Sequence, residues 1–168
     1  MIEPLRLTFE VDCRAEHAFR TWVDRISDWW PRSHTVSSAP DARVTLEQFV
    51  GGRIFERTAD GVEHDWGEVL AFEPARRLAY LWHIRRDRAD ATEVEISFHP
   101  IDAHTTRVEI EHRGWEALGA EAETWRDRNR SAWGSLLPRY EEAVASPGRS
   151  EAECAVPIGT DLPVLPER

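Results

Sequence analysis

The sequence predicts an α+β domain in which one strongly curved antiparallel sheet wraps around a long C-terminal helix. Three observations carry this prediction. Residues 119–146 have the apolar spacing of one long amphipathic helix, the segment before them alternates apolar and polar residues as short strands do, and turn residues separate these strands closely. Short connections favour antiparallel neighbours, and helices at both ends of a run of strands favour an α+β arrangement.

The first predicted elements are a strand and a short helix. Apolar and polar residues alternate over residues 5–11, which is the period of a half-buried strand. Asp12 offers a helix cap, and the apolar residues within 15–26 recur on one face of an amphipathic helix. Pro31 ends this region, and the segment 32–41, rich in Ser and Pro, is expected to form a loop.

Six further strands are predicted, and hairpins join most of them. Gly51-Gly52 and Asp60-Gly61 are hairpin signals because glycine adopts the positive φ of tight turns without strain. The predicted strands occupy residues 44–50, 53–58, 63–72, 78–84, 93–98 and 107–112.

The long helix carries two unusual residues in its pattern. Asn129 is a polar member of the apolar stripe, and Pro138 is expected to kink or interrupt the helix. With such a kink, residues 125–133 would face a pocket while residues 136–144 anchor the helix against the core. A curved sheet cannot close fully onto a helix, so the gap between them is the expected ligand pocket.

Composition and charge limit the classes of function. A chain of 168 residues suits one domain, expected over residues 1–146, with an extended or disordered tail over 147–168. The net charge of -10 argues against a nucleic-acid partner. No apolar run approaches the roughly 20 residues of a membrane span, and the N-terminus shows no secretory signal, so a cytoplasmic location is expected.

Motifs for metal, cofactor or nucleophilic chemistry are not found in the sequence. There is no HExxH, no GxSxG and no phosphate-binding glycine loop, so neither a metal nor a cofactor is predicted. Cys13 and Cys154 lack any CxxC spacing and are expected to be two free thiols.

A series of short motifs in a characteristic order resembles the activator-of-heat-shock-protein-ATPase-like family of the START-like (SRPBCC) superfamily. The resemblance covers about residues 3–145, and it implies the helix-grip fold with a deep hydrophobic cavity between the sheet and the long helix. The motifs that carry it are Trp29-Trp30-Pro31, Gly51-Gly52-Arg53, Asp60-Gly61, Trp66-Gly67-Glu68-Val69, Glu73-Pro74, Leu78, Trp82, Thr106-Arg107-Val108 and the segment from His112 to Trp115.

Eight tryptophans in 168 residues suggest a wide interior or a lined cavity. The alternative for these aromatic residues is ordinary core packing. The alternative for Asn129 is a hydrogen bond from its amide to a strand carbonyl or a water molecule instead of to a ligand. The residues predicted to contact a ligand are Trp66, Tyr80, Trp82, His112, Trp125, Asn129 and Trp133.

Histidines are the candidate proton carriers near neutral pH. His112 shares the strand parity of Val108 and Ile110 and is expected to point inward, where a structural hydrogen bond competes with catalysis. His34 follows the Trp29-Trp30-Pro31 segment, on a loop placed to cover the mouth of the cavity. Tyr80 and His112 are the weak catalytic candidates.

Three functions are compatible with these features. The favoured one is non-enzymatic binding of a small hydrophobic molecule, such as a lipid, a polyketide or an aromatic metabolite. The second is an aromatase- or cyclase-like enzyme that uses the same cavity. The third is an interaction protein for a chaperone ATPase, and it ranks below the others because the chain is expected to lack the extra N-terminal domain of the eukaryotic activators. A second copy of the chain, in a homodimer, is a further candidate partner.

Overall fold

The computed structural model describes residues 1–146, which contain seven strands and three α-helices. In chain order these are β1 (Leu5–Val11), α1 (Ala15–Asp24), α2 (Ile26–Trp29), β2 (Arg43–Leu46), β3 (Arg53–Arg57), β4 (Glu63–Glu73), β5 (Arg77–Trp82), β6 (Thr92–Pro100), β7 (Thr106–Arg113) and α3 (Ala122–Ala145). Short 3-10 helices occupy Arg32–His34, Arg88–Asp90 and Trp115–Glu121.

The strands form one antiparallel sheet in the order β1-β7-β6-β5-β4-β3-β2. Consecutive strands from β2 to β7 are neighbours, as their short connections require. The segment with α1 and α2 carries the chain from the β1 edge to the β2 edge, and these helices contact α3 on one face of the sheet. The predicted α+β helix-grip fold is therefore confirmed.

Two bulges in β4 contribute to the curvature of the sheet. Trp66 has no partner between the pairs Phe55–Asp65 and Ile54–Gly67, and Leu70 has none between the pairs that β4 forms with β5. An extra residue on one strand bends that strand and increases its twist.

The helices are held to one another by buried polar contacts as well as by apolar packing. Tyr140 of α3 is buried, and its hydroxyl donates a hydrogen bond of 2.7 Å to the carbonyl of Ala18 in α1. The guanidinium of Arg25 donates to the carbonyls of Ala143 and Ser146, at 2.9 Å each, and so caps the C-terminus of α3.

The expected interruption at Pro138 is wrong, because α3 continues unbroken from Ala122 to Ala145. Pro138 is exposed and has no N–H, so it donates no hydrogen bond to the carbonyl of Gly134 one turn earlier. Gly134 is exposed as well. Water can satisfy a carbonyl on this side, so the missing hydrogen bond does not stop the helix. Non-helical geometry occurs at Gly119 instead, with φ 56° and ψ -129°, before α3 begins.

Two local expectations are also corrected. The residue at the N-terminal cap of α1 is Arg14, without a side-chain cap, so Asp12 does not cap the helix. Strand β2 ends at Leu46 rather than at residue 50, because residues 47–52 fold into turns in which Phe49 and Val50 are exposed. The hairpin glycines Gly51 and Gly61 do adopt the positive φ that their turns require.

Two further observations complete the description. Cys13 is half-buried and carries a free thiol, whose pKa is raised by burial. Cys154 and the predicted tail, 147–168, lie outside the described residues. Within residues 1–146, no helix has the length and apolar character needed to cross a membrane.

Candidate ligand-binding cleft

Two small cavities lie side by side between the end of β5 and the middle of α3, and we call them together the Trp82 cleft. They share Trp82, Ile84 and Asn129 as lining residues. The first cavity has a volume of about 70 Å³ and is also lined by Trp30, His34, Ala132, Trp133 and Leu136. The second has a volume of about 60 Å³ and is also lined by His83, Arg86, Asp90, Thr92, Trp115, Leu118 and Trp125.

Tryptophan side chains form the walls of this cleft and fill the interior behind it. The ring of Trp30 lies 5.5 Å from that of Trp82 and 5.3 Å from that of Trp66, measured between centroids. Trp22, Trp66 and Trp115 are completely buried. These indoles occupy the space in which the family resemblance implied a deep cavity, so the cleft is well below the roughly 300–1,000 Å³ of drug-sized ligand pockets.

His112 of β7 links the tryptophan walls to one another. Its Nδ1 accepts a hydrogen bond of 3.2 Å from Nε1 of Trp133, and its carbonyl accepts one of 3.0 Å from Nε1 of Trp115. Because Nδ1 is an acceptor, the proton is on Nε2, which donates to Oγ1 of Thr92 at 2.7 Å. The Thr92 hydroxyl in turn donates to the carbonyl of Trp82 at 3.3 Å.

The buried position of His112 also sets its protonation state. Burial lowers the pKa of the imidazole to about 3, so the ring is neutral near pH 7 and keeps one donor and one acceptor nitrogen. Its side chain lies behind Trp133 and Thr92 and lines neither cavity. This geometry makes His112 a positioning residue for the cleft.

Asn129 lies where the two cavities meet, as its place in the apolar stripe of α3 predicted. Its Nδ2 donates a hydrogen bond of 2.8 Å to the carbonyl of Trp125, one turn earlier in the helix. Within residues 1–146 its Oδ1 has no hydrogen-bond partner, so this oxygen is the atom available to a ligand donor.

His34 is the histidine among the residues that line the first cavity. It ends the 3-10 helix Arg32–His34, and its carbonyl accepts a hydrogen bond of 3.1 Å from Nε1 of Trp30. Burial, with the nearby charges of Arg85 and Arg139, lowers the pKa of the His34 imidazole. A larger neutral fraction at pH 7 suits it to accept a proton.

Glu56 fixes the backbone that follows His34 through hydrogen bonds, and this role of Glu56 was not predicted from the sequence. This carboxylate is fully buried, and it accepts hydrogen bonds from the amides of Val36 and Ser37 at 2.8 and 2.7 Å. The available signal was strand parity, since Glu56 shares the inward parity of Ile54 in β3.

The structure divides the seven predicted ligand contacts into two groups. Trp82, Trp125, Asn129 and Trp133 line the cleft, while the side chains of Trp66, Tyr80 and His112 are buried and line neither cavity. Burial also raises the pKa of the Tyr80 hydroxyl. Other residues that line the cleft were not among the predicted ligand contacts, and they include Trp30, Ile84, His83 and Arg86. Among residues 1–146, no group of three or more His, Cys, Asp or Glu side chains is placed to hold a metal ion.

A curved antiparallel sheet gripping a long C-terminal helix, with an aromatic cleft between them, defines a START-like (SRPBCC) protein. The family model described as Activator of Hsp90 ATPase homolog 1-like protein matches residues 12–144, and the chain belongs to that family. This confirms the resemblance noted from the sequence motifs. No curated protein shows significant sequence similarity to the chain.

Solved structures with similar folds include one with substantial sequence identity. The structure of an anthrahydroquino-γ-pyrone synthase, Txn09, complexed with SUM, is 35% identical, covers 73% of this chain and 84% of its own, and has a TM-score of 0.54. Protein MLL2253 from Mesorhizobium loti is 17% identical, with 85% and 97% of the two chains covered and a TM-score of 0.64. The self-sacrificing resistance protein CalC from Micromonospora echinospora is 22% identical, with 84% and 93% covered and a TM-score of 0.64.

Proposed function

We propose that this protein binds a small planar aromatic molecule in the Trp82 cleft. The observation that carries the proposal is the first cavity, where three indoles, Trp30, Trp82 and Trp133, surround one space beside the helix. Flat aromatic faces favour stacked or edge-on contacts with a planar ring. Asn129 and His34 add polar atoms at the edge of this space, which orient a ligand rather than supply most of its binding energy.

The size of the cleft selects the ligand class. Its two cavities, of about 70 and 60 Å³, together approach the roughly 150 Å³ of an engineered apolar cavity that holds benzene. A ligand with one aromatic ring and a small substituent uses both cavities, and it requires less movement of the walls than any larger ligand. A lipid chain or a fused polyketide would require the tryptophans to move apart.

Filling the first cavity should abolish binding without removing any contact. Ala132 lines this cavity from α3, and Ala132→Leu places three more carbons there while keeping a strong helix former. We expect the affinity for one-ring phenols and quinones to fall about tenfold or more, measured by quenching of tryptophan fluorescence. The free energy of unfolding should change little.

The matched control is Ser131→Leu, because Ser131 is the exposed neighbour on the same helix and lines neither cavity. This variant should keep the affinity of the parent chain. Equal affinities for the Ala132→Leu and Ser131→Leu variants would contradict binding in the first cavity, and the absence of any binding across the panel would contradict the proposed function.

A second candidate function is ring closure of a polyketide-like substrate in the same cleft. The similarity that favours it is the 35% identity to a γ-pyrone synthase. Closure of a γ-pyrone ring forms a C–O bond when a hydroxyl oxygen adds to a carbonyl carbon of the open chain. A base takes the proton of that hydroxyl and returns it to the former carbonyl oxygen, which then leaves as water together with a hydrogen of the adjacent carbon. The candidate base is His34, which lines the first cavity and whose pKa is lowered by burial, and Asn129 is the candidate orienting group. This candidate ranks second because a fused three-ring substrate exceeds the cleft volume.

The enzymatic candidate is tested with an anthrahydroquinone that carries the open chain of a γ-pyrone. If the chain is a cyclase, pyrone formation followed by liquid chromatography and mass spectrometry should slow by about 100-fold in His34→Ala, with substrate affinity nearly unchanged. His104→Ala, at an exposed turn, serves as the control. No acceleration by the parent chain over buffer would exclude this candidate.

A further inference from the structure

The second cavity of the Trp82 cleft ends at a turn that carries two nitrogen-rich side chains. The chain leaves β5 and folds back over residues 83–86, where the amide of Arg86 donates a hydrogen bond of 2.8 Å to the carbonyl of His83. Arg85 has a positive φ of 59° in this turn, an uncommon conformation for a residue with a side chain, and its guanidinium donates to the carbonyl of Thr35. The turn is therefore anchored from outside, with His83 and Arg86 lining the cavity.

Two buried nitrogen atoms at this end of the cleft have no hydrogen-bond partner within residues 1–146. They are Nδ1 of His83 and Nε of Arg86. The His83 side chain belongs to a residue only 8% exposed, so its imidazole is almost wholly removed from bulk water. Buried polar atoms normally have partners, and leaving one without a partner costs about 1–3 kcal/mol. His83 and Arg86 both line the second cavity, so a ligand acceptor that binds there and draws these side chains towards it would satisfy both nitrogens.

The guanidinium of Arg86 stacks on an aromatic ring and forms one long, solvent-exposed ion pair. Its Cζ lies 3.8 Å from the centroid of the Trp125 ring, a stacking contact that limits its freedom. The nearest carboxylate oxygen among residues 1–146 belongs to Glu121, 3.8 Å from Nη2, and that side chain is 72% exposed. An arginine is always charged near pH 7, so Arg86 brings to the wall of the second cavity a positive charge that only this exposed ion pair offsets.

Other charges surround this end of the cleft. Arg85 adds a second positive charge from the same turn. Asp87 lies on the outer, open side of the turn, and Asp90 lines the second cavity, yet neither carboxylate comes within 4.0 Å of the Arg86 guanidinium. Arg86 Nε always carries a hydrogen, and His83 Nδ1 is a donor in the tautomer with its proton on that atom, so the subsite proposed below uses that tautomer.

From this geometry we propose that His83 and Arg86 form a subsite for a carboxylate, so that the ligand of the Trp82 cleft is an aromatic acid. The proposal rests on the proposed function and specifies its ligand. The ring lies among Trp30, Trp82 and Trp133, and the carboxylate extends past Asn129 to accept hydrogen bonds from Arg86 and His83. Hydrogen bonds between charged groups are about twice as strong as neutral ones, so the charge of the ligand determines affinity.

The test compares benzoate with benzamide, which has nearly the same shape but no charge. Each is titrated into the full chain, and dissociation constants are taken from the indole N–H signals of the tryptophans in nuclear magnetic resonance spectra. We expect benzoate to bind about tenfold or more tightly than benzamide. In Arg86→Gln this preference should disappear, while the dissociation constant of benzamide should stay within about twofold of its value in the parent chain.

Arg88→Gln is the matched control, because Arg88 lies on the same connection, is 62% exposed and pairs with Glu68 outside the cleft. It should keep the full preference for benzoate. Equal binding of both probes by the parent chain, or a preference retained in Arg86→Gln, would overturn the carboxylate subsite and leave aromatic binding in place. If neither probe binds at millimolar concentration, the proposed function itself fails. Thermal unfolding of each variant verifies that the comparison is made on folded protein.

Discussion

Replacing His112 by alanine should lower the free energy of unfolding by about 3–5 kcal/mol. The change leaves the buried Trp133 indole N–H without its acceptor, at about 1–3 kcal/mol, and removes the donor to Thr92, whose hydroxyl keeps only its hydrogen bond to the Trp82 carbonyl. The lost ring also leaves a cavity against Trp115, whose ring centroid lies 4.2 Å from that of His112. Urea denaturation measures the loss.

The control for this prediction is His99→Ala, which removes a half-exposed histidine from the neighbouring strand β6. Exposed charge pairs contribute little, so that variant should stay within about 1 kcal/mol of the parent chain. A loss of similar size in both variants, or a loss below about 1 kcal/mol in His112→Ala, would contradict the role assigned to the His112 hydrogen bonds.

The same residue should make stability depend on pH in a predictable direction. The pKa of His112 is about 3 in the folded chain and about 6.5 when unfolded, so between these values the unfolded state binds more protons. Stability therefore falls as the pH is lowered from about 6.5 towards 3, by about 1.4 kcal/mol per pH unit from this group. His112→Asn, which has no titrating group there, should lose about 2 kcal/mol less than the parent chain between about pH 6.5 and 5.

The second large effect is expected at Gly67, where alanine should cost about 3 kcal/mol or more. A Cβ atom on this residue of β4 would lie 2.1 Å from the backbone carbonyl oxygen of Leu81 and 3.6 Å from the side chain of Ile54. Because the close atom belongs to the backbone of β5, no side-chain rotation relieves the contact. The two strands would have to separate next to Trp82, which pairs with Gly67.

Gly134→Ala is the matched control, because it makes the same chemical change on the exposed side of α3. No atom lies within 4 Å of the Cβ that would be added there, and the residue is helical. That variant should be more stable than the parent chain by about 0.5–1 kcal/mol, since alanine is the better helix former. Thermal and chemical denaturation of the two variants should move in opposite directions, and a stable Gly67→Ala chain would contradict the close strand contact.

Much of the fold could be predicted because its signals are local. Alternation of apolar residues indicated five of the seven strands, and the hairpin signals Gly51-Gly52 and Asp60-Gly61 indicated the other two and the antiparallel order. The predictions that were wrong relied on local signals that the surrounding structure overrides. Pro138 does not break α3 because the Gly134 carbonyl, which has no amide partner there, lies on the side that faces water. Strand β2 stops at Leu46 because backbone hydrogen bonds of the following residues fold them into turns.

The cleft could be predicted only in part, because periodicity tells which face a residue occupies but not what fills the space there. Trp82, Asn129 and Trp133 were expected at a cavity and do line it. Trp66 and Tyr80 were expected there on the same evidence, yet neither side chain lines it, and the indole of Trp66 is packed behind Trp30 and Trp82. Which aromatic side chains remain at the surface of a cavity depends on how all of them pack together.

By itself, the sequence determined the elements, their order and the family, since these follow from patterns within short segments and from motifs in series. Only the tertiary structure decided that the tryptophans leave two cavities of about 70 and 60 Å³, that His112 holds Trp115 and Trp133 by hydrogen bonds, and that His83 and Arg86 both line the second cavity. Arg86 belongs to a charged turn with no periodicity, and its position depends on the positive φ of Arg85 and on stacking against Trp125. Contacts between residues so far apart in the chain exist only once the sheet has closed around α3.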